Sequence, residues 1–141
     1  MREVDVDVRS WKLVGETKNS RFFDVREGIL GAVPRPGALD DKETAEENNA
    51  FQGGYFEKLG KRGVVIVWLD AFASQDKDAR RVYQESDHPW IRGVALVASS
   101  LLGRAIASFS TGIRKPKLPL KFVATTAEAL AWADALDERE T

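Results

Sequence analysis

The residues best suited to bind a ligand are two adjacent serines and a nearby arginine. Ser99 and Ser100 come directly after an apolar run that predicts a buried strand, and Arg104 follows about one helical turn later. The free N–H groups at the start of a helix attract anions, and ligands of open α/β sheets favour the carboxyl ends of the strands. This segment is therefore a candidate anion site, although a serine helix cap beside a solvent-exposed arginine explains it better.

Two pairs of carboxylates are the next candidates. Asp76 and Asp78 are separated by one residue, and Asp40 is adjacent to Asp41. Such pairs can hold a metal ion or perform acid–base chemistry, but both lie where helix N-caps are expected, and capping explains them better. We keep Asp76 and Asp78 as candidate binding residues on a loop that neighbours the two serines, and we predict no metal site.

The remaining motifs argue against catalysis. The chain has no cysteine, which excludes thiol chemistry, and its single histidine, His88, stands in a predicted loop without a suitably placed partner. The Gly60-Lys61 pair is not a phosphate-binding loop, because its spacing from Gly54 is too long and Arg62 replaces the hydroxyl residue that holds magnesium. We therefore expect neither an enzyme nor a bound cofactor.

Charge is distributed unevenly along the chain. The 21 basic and 22 acidic residues give a net charge of −1, which identifies no polyanionic partner. Residues 88–127 contain no acid, however, whereas residues 128–141 are acidic. This asymmetry indicates internal complementarity or a face for an acidic partner, or simply a solvated surface. The aromatic residues of the basic stretch occupy core positions, so no nucleic-acid partner is expected.

The hydrophobic pattern predicts strands that alternate with helices. Gly28 predicts a hairpin turn between two apolar runs, and the continuous apolar runs at 64–69 and 93–98 are typical of strands buried on both faces. Further strands are predicted at 4–8 and 120–124. This order implies right-handed βαβ crossovers. The predicted fold is α/β, with a mixed, mostly parallel sheet and about four helices.

Four helices are predicted from caps and periodicity. They cover 41–59, about 77–86, about 100–113, and the segment after a capping box formed by Thr125 and Glu128. Asp40 or Asp41 caps the first helix, whose apolar residues Phe51, Tyr55 and Leu59 are spaced by four. Its Gly53-Gly54 pair predicts a kink or a close approach to another element. The last helix is expected to turn Ala129, Trp132, Ala133 and Leu136 inward.

The C-terminal half resembles a known family. The run from Gly93 to Ile106, GVALVASSLLGRAI, joins an apolar strand, serines, a small turn and an arginine-bearing helix. An aromatic and glycine stretch with a proline follows, and then a strand, a threonine cap and an Ala-Leu-Ala-Trp helix at 129–132. In this order the segment 92–136 resembles small standalone bacterial proteins of the STAS-like, SpoIIAA-like fold family.

That resemblance implies a non-enzymatic protein. SpoIIAA relatives are anti-sigma-factor antagonists that switch partners when a serine in an Asp-Ser-Ser-Gly loop is phosphorylated. The loop follows a strand ending in Leu-Asp, here Leu69-Asp70, and aligns with 78–80 or with 76–77, where no serine stands. Ser74 is off-register. The resemblance therefore implies the fold and a regulatory role without a matched phosphoacceptor.

These observations predict one domain over residues 1–141, with a core at about 21–137, an N-terminal strand extension at 1–20 and a tail at 138–141. We expect a regulatory or protein-interaction module whose candidate partner-binding residues are Ser99, Ser100, Arg104, Asp76 and Asp78. The alternative is a small-molecule or lipid/anion-binding domain that uses the helix start at the serines together with Arg104.

Location and assembly are also predicted from the sequence. The chain shows no apolar signal core and no apolar run of the roughly 20 residues that a membrane helix needs, so we expect a cytoplasmic protein. Phe109 and Ile113 could pack inward or, with Leu101, form an exposed apolar patch, and such patches usually mean association. A homodimer is the assembly that such a patch would favour.

Overall fold

A computed structural model of the protein describes residues 10–85, 89–100 and 119–140. The strands in this part of the chain are β1 Lys12–Glu16, β2 Ser20–Arg26, β3 Ile29–Pro34, β4 Ala38–Asp40, β5 Gly63–Trp68, β6 Phe72–Gln75, β7 Ile91–Val97 and β8 Leu120–Val123. The helices in this part are α1 Lys42–Leu59, α2 Lys77–Glu85 and α3 Thr126–Glu140.

Six strands form one mixed sheet in the order β1-β2-β3-β5-β7-β8. The first two pairings are antiparallel, and β3, β5, β7 and β8 run parallel. The short strands β4 and β6 pair separately as a parallel two-stranded element, which we call the β4–β6 ribbon. The predicted α/β class with a mixed sheet is confirmed. The expected strand at 4–8 and the helix at about 100–113 lie outside the described residues.

The hairpin that starts the sheet depends on a glycine. Gly28 separates β2 from β3 and has a φ of 79°, a conformation that side chains with a Cβ rarely adopt. The two strands pair along most of their length, with Phe22 opposite Ala32 and Phe23 opposite Gly31. The predicted hairpin is therefore confirmed.

The central strand β5 is buried on both faces, as its unbroken apolar sequence predicts. Val65 packs in one apolar cluster with Phe56 of α1, whereas Ile66 packs in another with Ala129 of α3. Successive side chains of a strand point to opposite faces of the sheet, so these two helices cover opposite faces. Trp68 ends the strand and is only 1% exposed.

Both ends of α1 are set by short-range hydrogen bonds. Asp41 is the N-cap, because its side chain accepts the Thr44 N–H at 2.9 Å while its own N–H donates to the Thr44 hydroxyl. Asp40, the other cap candidate, does not fill this role. The helix ends at Gly60, whose left-handed backbone lets its N–H reach the carbonyls of Phe56 and Glu57.

The buried side of α1 differs from the predicted one. Leu59 is 53% exposed, and Phe51 and Tyr55 are only half-buried. A helix advances about 100° per residue, so positions spaced by four drift by about 40° at each step, and Leu59 rotates away from the core. The buried residues are Thr44, Ala45, Asn48, Gln52, Gly53 and Phe56. The helix runs unbroken through Gly53 and Gly54, with Gly53 buried.

The last helix packs as its pattern predicts. Ala129, Ala133 and Leu136 are buried against the sheet, and Trp132 packs beside them. The Thr125 hydroxyl accepts the Glu128 N–H at 3.2 Å and donates to the Glu128 carboxylate at 3.1 Å, which fixes the start of the helix. Among the described residues, no helix combines the length and the apolar character needed to span a membrane.

Candidate functional site

Ser99 and Ser100 lie just beyond the end of β7, as the sequence predicts, but their N–H and hydroxyl groups already have an acceptor. The Ser99 N–H and hydroxyl donate to Asp70 Oδ2 at 3.0 and 2.8 Å. The Ser100 N–H and hydroxyl donate to Asp70 Oδ1 at 2.9 and 2.5 Å. We call this arrangement the Asp70 clamp. These four donors are thus directed at a carboxylate of the same chain, whereas Arg104 and the later N–H groups of the predicted helix start lie outside the described residues.

The topology of the sheet brings these residues together. β5 and β7 are parallel neighbours, so both end at the same edge of the sheet, with Trp68 opposite Val97. Asp70 and Ser99 each follow two residues later and therefore meet just beyond the strands. We call this side of the molecule the carboxyl edge. It is the edge at which α/β proteins commonly place functional groups.

The clamp controls the ionisation of Asp70. Partial burial is the largest single influence and raises the pKa of the carboxyl, but the hydrogen bonds from Ser100 and Ser99 together outweigh it. The net result is a pKa below the ordinary value for aspartate. The ionised form is therefore favoured in the folded protein.

This shift predicts a dependence of stability on pH. A carboxyl whose pKa is lower in the folded state stabilises the fold above the pKa of the unfolded chain, and this contribution disappears as the pH falls through the folded pKa. Denaturant titrations of wild type and Asp70→Asn should therefore show a stability gap at neutral pH that narrows below about pH 4. A gap of constant size across this range would contradict the clamp.

The other predicted site residues have different roles. Asp76 caps α2, because its side chain accepts the Ala79 N–H at 2.8 Å. Asp78 is exposed in the first turn of the same helix. Arg104, like the proposed apolar patch, lies outside the described residues. The structure therefore joins the two serines to Asp70, a residue whose sequence position marks only the end of a predicted strand.

A second polar group, centred on Asp40, was not predicted. Asp40 is only 3% exposed and accepts hydrogen bonds from Thr44 Oγ1 at 2.7 Å, Gln75 Nε2 at 3.0 Å, Asn19 Nδ2 at 3.2 Å and Tyr83 OH at 3.3 Å. These donors come from four segments: the turn before β2, α1, β6 and α2. All four of these donors are neutral, so the described residues support the buried carboxylate by hydrogen bonds without a cation.

Asn48 extends this group. Its amide donates to Tyr83 OH at 3.1 Å and to Asn19 Oδ1 at 2.9 Å, while its carbonyl oxygen accepts from Thr17 Oγ1 at 2.5 Å. Burial and the neighbouring Asp40 charge hold the pKa of Tyr83 well above its ordinary value, so its hydroxyl stays protonated. We call the set the Asp40 cluster; its members are Thr17, Asn19, Asp40, Thr44, Asn48, Gln75 and Tyr83.

The carboxyl edge also carries an exposed leucine. The β4–β6 ribbon follows the carboxyl ends of β3 and β5, and its Ala38 packs in an apolar cluster with Leu69, Phe72 and Ala98. The next residue, Leu39, is 65% exposed, more than Leu13 or Leu59, the other exposed large apolar side chains in the described part of the chain. One side of the β4–β6 ribbon is thus buried against the carboxyl edge, and Leu39 faces the solvent.

Comparisons with known proteins identify a family. No curated protein and no solved structure matches the chain significantly. A family model described as a domain of unknown function, DUF7793, matches residues 23–137. The matched region runs from β2 into α3 and contains Asp40, Asp70, Ser99 and Ser100. Since the match spans well over half of the sequence, the chain belongs to the DUF7793 family.

Proposed function

We propose that the protein is a non-enzymatic regulatory or protein-interaction module of the STAS-like, SpoIIAA-like type. Its working surface is the carboxyl edge, formed by the Asp70 clamp and the β4–β6 ribbon, with Asp76 and Asp78 beside the ribbon at the start of α2. The observation that carries this proposal is the occupation of the Ser99 and Ser100 donors by Asp70.

The clamp favours a protein surface over an anion pocket. An external anion would have to replace the Asp70 carboxylate at its four donors, and it would arrive beside a like charge that has lost its hydrogen bonds. Both effects oppose binding. The clamp instead fixes the ends of β5 and β7 relative to each other, which gives a partner a preformed surface.

Leu39 supplies the apolar part of this surface. Protein interfaces combine a desolvated apolar centre with a polar rim that keeps its hydrogen bonds. An exposed leucine on a short ribbon, opposite Ser74 of β6 and on the same side of the sheet as Asp70 and Ser99, fits that arrangement. The proposed partner is a protein. If that partner is a second copy of this chain, the module forms a homodimer.

Site-specific photo-crosslinking in the host cell tests the proposal. A photoreactive amino acid replaces Leu39 in one variant and Leu59 in the other; Leu59 is also exposed but lies at the C-terminal end of α1, at the opposite edge of the sheet. We expect the variant at position 39 to form a discrete protein adduct that position 59 does not form. An adduct with a second copy would identify the homodimer.

Two outcomes would count against the interaction module. The first is the absence of any adduct at position 39 when the variant is folded and expressed at the wild-type level. The second is the same set of adducts at both positions, which would mean random collision rather than a defined surface. Folding of each variant is checked by its thermal unfolding midpoint, since both replaced side chains point into solvent.

A further inference from the structure

The helix α2 is weakly anchored by apolar contacts. Of its described side chains only Ala79 is fully buried, while Val82 and Tyr83 are half-buried. The three apolar clusters of the described chain contain residues of α1 and α3 but none of α2. Burial of apolar surface supplies most of the free energy that holds a helix in place, and among the described residues α2 contributes less of it than α1 or α3.

Polar contacts hold α2 instead. Tyr83 reaches from α2 to Asp40 at 3.3 Å and receives a hydrogen bond from Asn48 of α1 at 3.1 Å. At the start of the helix, Asp76 N–H donates to the Asp40 carbonyl at 3.0 Å. Among the described residues, hydrogen bonds thus join α2 to the Asp40 cluster and to the adjoining ribbon.

Hydration would offset part of the free energy that is lost when the hydrogen bonds of α2 break. Gln75 Oε1, next to the start of α2, is buried with no hydrogen-bond partner among the described residues. Asp40 is a buried carboxylate whose donors among the described residues are all neutral. Water would hydrate both groups if α2 moved away, and the recovered hydration offsets part of the lost contacts.

We propose that α2 is a displaceable helix, which the Tyr83 hydrogen bonds hold closed against the Asp40 cluster and which opens without unfolding of the sheet. Such local opening is the usual source of movable elements in folded domains. The inference rests on the proposed function in one respect. Because α2 carries Asp78 and is capped by Asp76, its movement would reshape the surface that a partner meets.

Amide hydrogen exchange of the wild-type protein tests the proposal first. We expect the amides within residues 77–85 to exchange through an opening whose free energy is clearly below that of global unfolding, while the amides of β5 exchange only by global unfolding. If the α2 amides are protected as strongly as those of β5, the helix does not open separately and the proposal is overturned.

A matched pair of tyrosine variants then tests the role of Tyr83. Tyr83→Phe removes one hydroxyl from the Asp40 cluster, whereas Tyr55→Phe removes the same group from a half-buried tyrosine on α1 that packs edge-on against Phe56. We expect Tyr83→Phe to accelerate exchange in α2 by about five- to tenfold and to leave β5 unchanged. Tyr55→Phe should leave α2 unchanged. Equal effects of the two variants on α2 would overturn the role of Tyr83.

These exchange experiments use the free protein, so their outcome is independent of any partner. Failure to find a crosslinked partner at position 39 would leave the exchange result standing. Uniform protection of α2 would likewise leave the interaction surface standing. The two proposals can therefore fail separately.

Discussion

Replacement of Asp40 by alanine is expected to lower the free energy of unfolding by about 3 kcal/mol. The change removes an acceptor that is 3% exposed and leaves the donors of Asn19, Thr44, Gln75 and Tyr83 without it. Each such donor in the interior costs free energy unless water reaches it, and the cavity left by the carboxylate admits water only in part.

Urea unfolding followed by tryptophan fluorescence measures this loss, because Trp68 is buried in the sheet. Asp41→Ala is the matched control, since it removes the same side chain from the adjacent position, where the aspartate is exposed and caps α1. We expect a clearly smaller loss from the control. Equal losses in the two variants would show that the Asp40 cluster contributes no more than a helix cap.

Gly63→Ala is expected to lower the free energy of unfolding by about 2 kcal/mol. A Cβ at this position would overlap the ring of Phe56, which is 1% exposed beneath the first residue of β5. The strand cannot easily shift away, because β5 is hydrogen-bonded to β3 on one side and β7 on the other. The ring must move instead, in a core with little free volume.

Gly54→Ala provides a control of opposite sign. This glycine lies within α1, and a Cβ there meets no atom within 4 Å. Alanine favours the helix over glycine by about 1 kcal/mol, so the variant should be slightly more stable than wild type. Urea midpoints of the two alanine variants should therefore fall on opposite sides of the wild-type value. A neutral Gly63→Ala would contradict the close packing of Phe56 against β5.

Patterns over short stretches of sequence predict much of this fold. The apolar run around Val65, the hairpin at Gly28 and the helices after Asp41 and Asp76 all rest on contacts between residues close in the chain, and each is confirmed. The parallel part of the sheet follows from the alternation of these strands and helices. The SpoIIAA-like assignment stays part of the proposed function.

The β4–β6 ribbon is not predictable in this way. Its strands have three and four residues, and they pair across the whole of α1 and β5. Pairing between such distant segments leaves no periodic signal in strands this short. For this reason the exposure of Leu39 is visible only in the structure.

The Asp70 clamp and the Asp40 cluster are also formed by residues that are distant in the sequence, which limits how far they can be predicted from it. The position of Ser99 after a strand makes it a candidate anion-binding residue. The same argument applies to Asp70, which follows the neighbouring strand. Applied to both residues, it predicts that Ser99 and Asp70 lie close together. Asp40 had no such signal, because a sequence does not show which of two adjacent aspartates is buried. Its donors lie 4 to 43 residues away along the chain.

Occupation of the Ser99 and Ser100 donors by Asp70 is tested most directly by an NMR titration of the wild-type protein with inorganic phosphate and sulfate. We predict that the two serine amide signals show no saturable shift with either anion. Asp70→Ala removes the acceptor of the Ser99 and Ser100 donors, so we expect this variant to show saturable shifts of the two amide signals at the same anion concentrations. Saturable shifts of the Ser99 and Ser100 amides in the wild-type protein would contradict the clamp and favour an anion-binding domain.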